Sequence, residues 1–133
     1  MEDIKTNSLP NMECGIAYLA HPYAPLNRRA EIFVEAIKAE NVEEAGDIAL
    51  KIMKKYLNLT IISPLHNYSF LEGNYEKETE ILKYDFRLLS RCDILILSGN
   101  WRNSKGCMSE YGYAVARGIR IYEYRDGLLY PLE

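Results

Sequence analysis

Short apolar runs alternate along the chain with stretches in which apolar residues recur every three or four positions. The runs predict strands, and the stretches predict amphipathic helices. Strands are predicted over residues 14–20, 59–63, 92–98 and 119–124, with a possible edge strand at 128–132 after an Asp-Gly turn. Helices are predicted over residues 27–40, from 41 to about 56, and over 75–91 and 106–117, with a loop at 65–74.

The ends of two helices carry capping signals. Asn41 followed by Glu44 is typical of a capping box, so we expect a new helix to begin at Asn41. Gly118 is placed to end the last helix.

The alternation of strands and helices predicts an α/β fold with a parallel sheet of four or five strands and helices on both faces. The run Asp93-Ile94-Leu95-Ile96-Leu97 supports this, since consecutive apolar residues indicate a strand covered on both faces. Ligands bind such sheets at the carboxyl ends of the strands. Those ends lie near Ala20, Ser63, Ser98 and Tyr124.

Composition narrows the functional class. The chain has 133 residues, which predicts one domain over residues 1–133, with the polar segment 1–13 flexible or loosely attached. A net charge of −3 without a basic block argues against a nucleic-acid partner. No apolar run approaches the ~20 residues of a membrane span, and residues 1–12 do not resemble a signal peptide. We therefore expect a cytoplasmic protein with no membrane partner.

Metal and cofactor chemistry find no support in the sequence. Cys14, Cys92 and Cys107 are far apart, which predicts reduced thiols, and neither histidine has metal-ligand spacing. Phosphate-loop, dinucleotide and serine-hydrolase motifs do not occur. No cofactor and no metal are expected.

Two carboxylates interrupt apolar helical faces. Asp85 lies between Ile81 and Leu89, where a carboxylate is costly unless it is paired, faces a pocket or lies at the edge of the face. Glu110 shares a face with Cys107 and Ala114 and follows a helix start at which free backbone N–H groups attract anions. Glu110 is either a dipole-stabilised first-turn residue or a site residue.

Aromatic and polar residues follow the first and third strands. Tyr18 lies within the first strand, and His21 and Tyr23 lie in the proline-stiffened loop after it, where they can contact a flat ligand or form a rigid turn. Trp101, the only tryptophan, is a candidate lid or structural plug.

Taken together, these segments resemble the nucleoside 2-deoxyribosyltransferase superfamily, and within it a small branch similar to nucleotide N-glycosidases. The resemblance spans about residues 15–124 and rests on the ordered strings YLAHPY at 18–23, ISP at 62–64, Asp85, CDILIL at 92–97 and WRNSKGCMSE at 101–110. It implies a flavodoxin-like or Rossmann-like fold and cleavage of the N-glycosidic bond of a nucleoside or nucleotide.

The resemblance also implies residue roles. Glu110 would attack the anomeric carbon, Asp85 would protonate the leaving base, and Tyr18 would hold the nucleophile. Tyr23 would lie against the base or sugar.

This chain departs from the transferase pattern at two positions. Ser104 replaces the transferases' Asp, which favours hydrolysis of a nucleoside 5′-monophosphate whose phosphate is cradled by Ser104 and the backbone around Gly106. His21 stands where the family usually has Gly; the usual Arg nearby is absent, and Arg28 or Arg29 is the candidate substitute.

Several alternatives stay open at this stage. Trp101 over the site would exclude water and suit transfer to another base. An NAD-type glycohydrolase and a non-catalytic nucleotide sensor are the other functional classes. The resemblance implies a homodimer or higher homo-oligomer.

Overall fold

Five strands make up one sheet in the order β2-β1-β3-β4-β5. The computed structural model describes residues 15–24, 33–71 and 78–132. The strands are β1 (Gly15–Ala20), β2 (Leu59–Ile62), β3 (Ile94–Leu97), β4 (Arg120–Arg125) and β5 (Leu128–Leu132). The first four are parallel, and β5 pairs antiparallel with β4. The predicted α/β class and edge strand are confirmed, and this strand order is the flavodoxin-like one.

Within the described residues, four helices connect or cover the strands: α1 (Val34–Lys55), α2 (Pro64–Asn67), α3 (Glu78–Leu89) and α4 (Lys105–Arg117). Short 3-10 helices lie at Ser69–Leu71 and Trp101–Asn103. The loop predicted at 65–74 is wrong for residues 65–67 and 69–71, which are helical. Helix α2 begins at Pro64 because the fixed φ of proline suits the first helical position. Among the described helices, none is long and apolar enough to cross a membrane.

Helix α1 corrects the prediction of a helix start at Asn41. It runs without a break through that residue, and both Asn41 and Glu44 lie in its interior. The Asn41 side chain donates to the Tyr23 carbonyl oxygen (Nδ2···O 2.7 Å) and so does not compete for the backbone of its own helix. Of the helix predicted over 27–40, residues 27–32 lie outside the described residues.

The alternation of side chains along β1 divides the core into two layers. Ala17 and Leu19 face α1, where they pack with Ala45, Ile48 and Ile52. Tyr18 and Ala20 face the opposite layer, formed by α3 and α4, with Leu89, Cys107 and Ala114. All four residues of β3 are fully buried, as predicted for a strand covered on both faces.

The carboxyl end of the sheet is therefore bordered by different elements on its two faces. The layer of α3 and α4 carries Asp85 and Glu110, whereas α1 carries Asn41 and Glu44. The predicted cap of α4 is confirmed, since Gly118 ends this helix in the left-handed conformation (φ 72°).

Candidate active site

A buried contact between β1 and α4 forms the centre of the site. The Tyr18 hydroxyl donates a hydrogen bond to Glu110 Oε2. Tyr18 points to α4 because it alternates with the α1-facing residues of β1, and Glu110 lies about one turn into α4, on the same face as Cys107 and Ala114. Both side chains are almost inaccessible to solvent, with Glu110 6% exposed and Tyr18 0%.

Burial dominates the electrostatics of Glu110. It raises the pKa of this carboxyl to about 8, the Tyr18 hydrogen bond opposes that rise, and Asp85 adds to it. The same burial, together with the charge of Glu110, raises the pKa of Tyr18 well above its ordinary value. Tyr18 therefore remains a hydrogen-bond donor and favours the charged form of Glu110.

Asp85 joins this pair from α3. Its charge contributes to the raised pKa of both Glu110 and Tyr18, so the three groups are electrostatically coupled. Burial raises the pKa of Asp85 itself to about 6. Asp85 Oδ1 is buried and has no hydrogen-bond partner among the described residues. A buried carboxylate oxygen without a partner is costly, and a ligand that donates to it would remove that cost.

The N-terminus of α4 lies at the carboxyl edge as well. Ser104 is its N-cap, and Ser104 Oγ accepts a hydrogen bond from the Cys107 amide (3.2 Å). Gly106 occupies the first turn and is exposed. Ser104 also lines a shallow, open depression of about 270 Å³, together with Arg102, Asn103, Lys105 and Met108. Free N–H groups, the helix dipole and two cationic residues make this depression attractive to an anion.

The described cysteines do not supply a nucleophile. Burial raises the pKa of Cys107 to about 12 and that of Cys92 to about 11, so both remain protonated thiols at neutral pH. Both are free and buried. Cys14 lies outside the described residues.

The His21 side chain is buried, and both of its ring nitrogens contact other side chains. It is 5% exposed. One ring nitrogen contacts Ser98 Oγ (2.9 Å), and the other contacts Glu44 Oε1 (3.2 Å). Both nitrogens are engaged on the α1 side of the sheet, so the ring links β1, β3 and α1, and its contact with substrate stays a prediction.

Trp101 is a buried residue of the loop before α4. It is 4% exposed and packs in the layer of α3 and α4, and its Nε1 donates to Glu123 Oε2 (2.9 Å). Arg102 stacks on the ring and donates to the same carboxylate oxygen (2.9 Å). These contacts are those of a structural plug, and the substrate contact of Trp101 stays a prediction.

Tyr23 is half-buried beside α1. Its carbonyl accepts from Asn41, and its ring lies under the Lys38 ammonium (5.2 Å to the centroid). The contact of Tyr23 with a base or sugar stays a prediction. Arg28 and Arg29, the candidate phosphate ligands, lie outside the described residues.

Sequence reasoning missed four residues that shape the site. Glu44 and Ser98 hold His21, and Glu123 holds the loop before α4. Tyr68 was assigned to a loop; burial raises the pKa of its phenol, and the nearby charge of Asp85 adds to that rise. The one signal available was the position of Ser98 and Glu123 at or near the carboxyl ends of predicted strands.

Among the described residues, no group of three or more His, Cys, Asp or Glu side chains is placed to hold a metal ion.

Comparison with known proteins identifies the family of the chain. No curated protein and no solved structure matches the chain. The family model described as nucleoside 2-deoxyribosyltransferase matches residues 14–128, a span that contains Tyr18, Asp85 and Glu110. The chain therefore belongs to the nucleoside 2-deoxyribosyltransferase family.

Proposed function

We propose that the protein cleaves the N-glycosidic bond of a nucleoside 5′-monophosphate or a nucleoside through a covalent glycosyl intermediate on Glu110. The observation that carries this proposal is the buried carboxylate of Glu110, hydrogen-bonded by Tyr18 and coupled to Asp85. A double displacement at an anomeric carbon uses two carboxyl groups, one as the nucleophile and the other as the acid and base.

In the first step, an oxygen of the Glu110 carboxylate attacks the anomeric carbon. The bond between this carbon and the base nitrogen breaks, and its electron pair leaves with the base. The Asp85 carboxyl gives its proton to the departing base and becomes a carboxylate. Asp85 Oδ1 supports this role, because it has no hydrogen-bond partner among the described residues and a base bound there would supply one.

The proton must be on Asp85 when this step begins. The pKa values of about 8 for Glu110 and about 6 for Asp85 give the pair about one proton at neutral pH, held mainly by Glu110. Positive charge developing on the sugar favours the Glu110 anion. A base seated on Asp85 excludes water and favours the protonated form of that residue. Substrate binding therefore favours the state in which Asp85, and not Glu110, carries the proton.

In the second step, water or a second base attacks the anomeric carbon of the glycosyl ester. The attacking group gives its proton to the Asp85 carboxylate, and Glu110 leaves as a carboxylate. The products are a free sugar after hydrolysis or a new glycoside after transfer, and the pair is returned to its starting state.

A 5′-phosphate is the substituent that the N-terminus of α4 suits best. The exposed first turn, the Ser104 hydroxyl and the nearby Arg102 and Lys105 side chains offer charge-assisted hydrogen bonds. This favours hydrolysis of a monophosphate over base exchange between nucleosides. Ser104 already caps α4 through Cys107, so the proposed phosphate contact is additional to that role.

The test is incubation with matched nucleosides, nucleoside 5′-monophosphates and NAD, with release of the free base measured by chromatography. We expect release from monophosphates and its loss in Glu110→Gln, whereas Glu43→Gln, an exposed carboxylate of α1, keeps full activity. Ligand binding without release by the wild type would identify a sensor, and release from NAD alone would identify an NAD-type glycohydrolase. Either result would contradict the proposal.

Ser104→Ala tests the phosphate contact separately. Its KM should rise for the monophosphate and not for the matching nucleoside, whereas Ser109→Ala in the same helix leaves both unchanged. An equal KM rise for the two substrates would return Ser104 to the role of a helix cap alone.

The assembly and location of the chain remain predictions. A homodimer or higher oligomer, one domain over residues 1–133, and a cytoplasmic location are proposed on the resemblance and the composition. Size-exclusion chromatography with light scattering tests the first of these.

A further inference from the structure

The His21 ring lies at the crossing of three elements on the α1 face. It follows β1 directly, it contacts Ser98 at the end of β3, and it contacts Glu44 on α1. Ser98 is fully buried, whereas the Glu44 side chain is 59% exposed. Burial lowers the pKa of His21 below its usual range, and the neighbouring Glu44 side chain opposes that shift.

Hydrogen-bond accounting favours one tautomer of the neutral ring. Ser98 Oγ is 2.9 Å from both His21 Nδ1 and the Ala20 carbonyl oxygen, and its single proton serves only one of them. The Ala20 carbonyl already accepts from the Ser98 amide (3.0 Å). A Glu44 carboxylate carries acceptors only, which favours a ring that donates from Nε2 to Glu44 and accepts at Nδ1 from Ser98, whose hydroxyl then donates to the ring instead of to the Ala20 carbonyl. The neutral ring thus joins Ser98 to Glu44 with both nitrogens satisfied.

Gly99 makes room for this ring. A Cβ on Gly99 would lie 2.8 Å from His21 Cε1, closer than real Cβ atoms approach, and 3.1 Å from Pro22 Cδ, which is tighter than most Cβ contacts. The loop after β1 and the loop after β3 therefore interlock at this point, and the interlock requires the absence of a side chain at residue 99. Asn41, one turn before Glu44, adds a second link between α1 and this loop through the Tyr23 carbonyl.

We propose that His21 is a positioning residue, which clamps residues 21–24 between the end of β3 and α1 and so sets the path of the chain beside the substrate pocket. The clamp consists of His21, Ser98, Gly99 and Glu44. It acts on the side of the sheet opposite the Tyr18–Glu110 pair, at the same carboxyl edge. The clamp stands on contacts in the free protein, whereas its effect on substrate rests on the proposed function.

Loosening the clamp is expected to weaken binding and not chemistry. A loop that is free before binding must be ordered by the substrate, which lowers affinity. Ordering one or two residues corresponds to a roughly tenfold rise in KM. The Glu110 carboxylate is held by Tyr18 from the other layer, so kcat should change less than twofold.

Glu44 provides the cleanest variants, because its carboxylate is exposed and lies outside the proposed catalytic group. Glu44→Gln keeps an acceptor for His21 Nε2–H and should leave KM near that of the wild type. Glu44→Ala removes the acceptor and should raise KM about tenfold with kcat unchanged. Glu43→Ala, the neighbouring exposed carboxylate, is the control and should behave as the wild type.

A double-mutant cycle tests the interlock with Gly99. Gly99→Ala strains the backbone wherever it is made, since Gly99 has a φ of 64°, but it displaces the ring only when His21 is present. We expect Gly99→Ala to raise KM more in the wild type than in His21→Ala, because the backbone strain is common to both backgrounds and the difference isolates the contact with the His21 ring. Additive effects would overturn the interlock.

Hydrogen exchange and ring NMR make the test independent of activity. The chain has two histidines, so the His21 ring is assigned by comparison with His66→Gln. We expect an Nε2–H proton on His21, and a protected Ser98 amide, which donates to the Ala20 carbonyl, in the wild type and in Glu44→Gln but not in Glu44→Ala. If the wild type releases no base, the proposed function fails, and these signals alone decide on the clamp. An Nδ1–H tautomer, unchanged protection in Glu44→Ala, or a lower kcat at constant KM would overturn it.

Discussion

Glu110 and Asp85 share about one proton near neutral pH, and that count suits the proposed chemistry. Their pKa values of about 8 and about 6 are set first by burial, and Asp85 adds to the value of Glu110. The singly protonated pair can supply one nucleophile and one acid. We therefore expect a bell-shaped dependence of kcat/KM on pH, with limbs near 6 and 8 that belong to the pair and not to either residue.

Tyr18→Phe should change this profile in a defined direction. The Tyr18 hydrogen bond lowers the pKa of Glu110, so its removal raises that pKa. The alkaline limb moves to higher pH. The maximum value of kcat/KM falls by roughly 10- to 100-fold, because hydrogen bonds to charged groups contribute about 1.5–3 kcal/mol. A higher pKa of Glu110 also leaves fewer molecules with the proton on Asp85. Initial rates of base release from pH 5 to 10 measure both effects.

Tyr56→Phe is the matched control for that variant. Tyr56 is also fully buried, and its hydroxyl accepts from the Leu129 amide in the α1 layer (3.0 Å). Its loss should lower the free energy of unfolding by about 1 kcal/mol or more and leave the pH profile in place. A similar alkaline shift in both Phe variants would mean that Tyr18 does not act on Glu110 directly.

Single residues also mark what the sequence could and could not predict. Asp85 and Glu110 stood out because a carboxylate within an apolar helical face is costly, and the structure brings both to one layer. His21 and Trp101 were expected to face a ligand, yet their partners Glu44 and Glu123 lie 23 and 22 residues further along the chain. No local pattern predicts pairs at that separation, since they depend on how strands and helices are arranged.

Among the elements, α1 shows how a correct local signal leads to a wrong boundary. Asn41 and Glu44 have capping-box spacing, but no Pro or Gly interrupts the chain from Val34 to Ala45. The helix therefore continues, and both side chains serve the loop after β1. The same three-residue spacing that suits a cap also places two residues on one helix face, so the sequence alone does not separate these outcomes.

Helix α4 allows an element-scale prediction with an internal control. Gly118→Ala should lower the free energy of unfolding by about 1 kcal/mol, because the left-handed conformation disfavours a side chain. Gly112→Ala, inside the same helix and with nothing within 4 Å of its Cβ position, should raise it by about 0.5–1 kcal/mol. Urea denaturation at one pH measures both. Equal signs for the two variants would contradict the assigned end of α4.

At the scale of the whole molecule, the two helical layers hold different residues of the candidate site. Period-two alternation in β1 sends Tyr18 to the layer of α3 and α4 and the α1-facing residues to the other, so the sequence predicted the architecture and the edge at which the site lies. It did not predict the surroundings of each side chain at that edge, because those depend on tertiary contacts. Residues 25–32 and 72–77, which follow β1 and precede α3, lie outside the described residues.

The buried carboxyls predict how stability depends on pH. The pKa of Glu110 is about 8 in the folded chain and about 4.5 as an ordinary value, so its favourable contribution is complete below pH 4.5 and is lost as pH rises through 8. Unfolding by urea should therefore become easier from pH 6 to pH 9. Glu110→Gln should lack most of this loss. At pH 9 its free energy of unfolding should exceed that of the wild type by on the order of 1 kcal/mol or more.

The exposed Glu43→Gln variant should keep the wild-type slope in the same experiment. A Glu110→Gln protein that loses stability with pH as steeply as the wild type would show that the carboxyl is not buried as described. A stabilised but inactive Glu110→Gln protein fits a site whose function is maintained at a cost in stability.

The central claim is that Glu110 carries the covalent intermediate, and mass spectrometry of the trapped protein tests it most directly. A 2-fluoro-2-deoxy nucleoside, offered with and without a 5′-phosphate, slows breakdown of a glycosyl ester. The wild type should gain the mass of one fluorinated sugar, and peptide mapping should locate it on Glu110. Glu110→Gln should gain nothing, and Glu43→Gln should label as the wild type. Labelling of Glu110→Gln, or a label mapped to Asp85 or any other residue, would contradict the account.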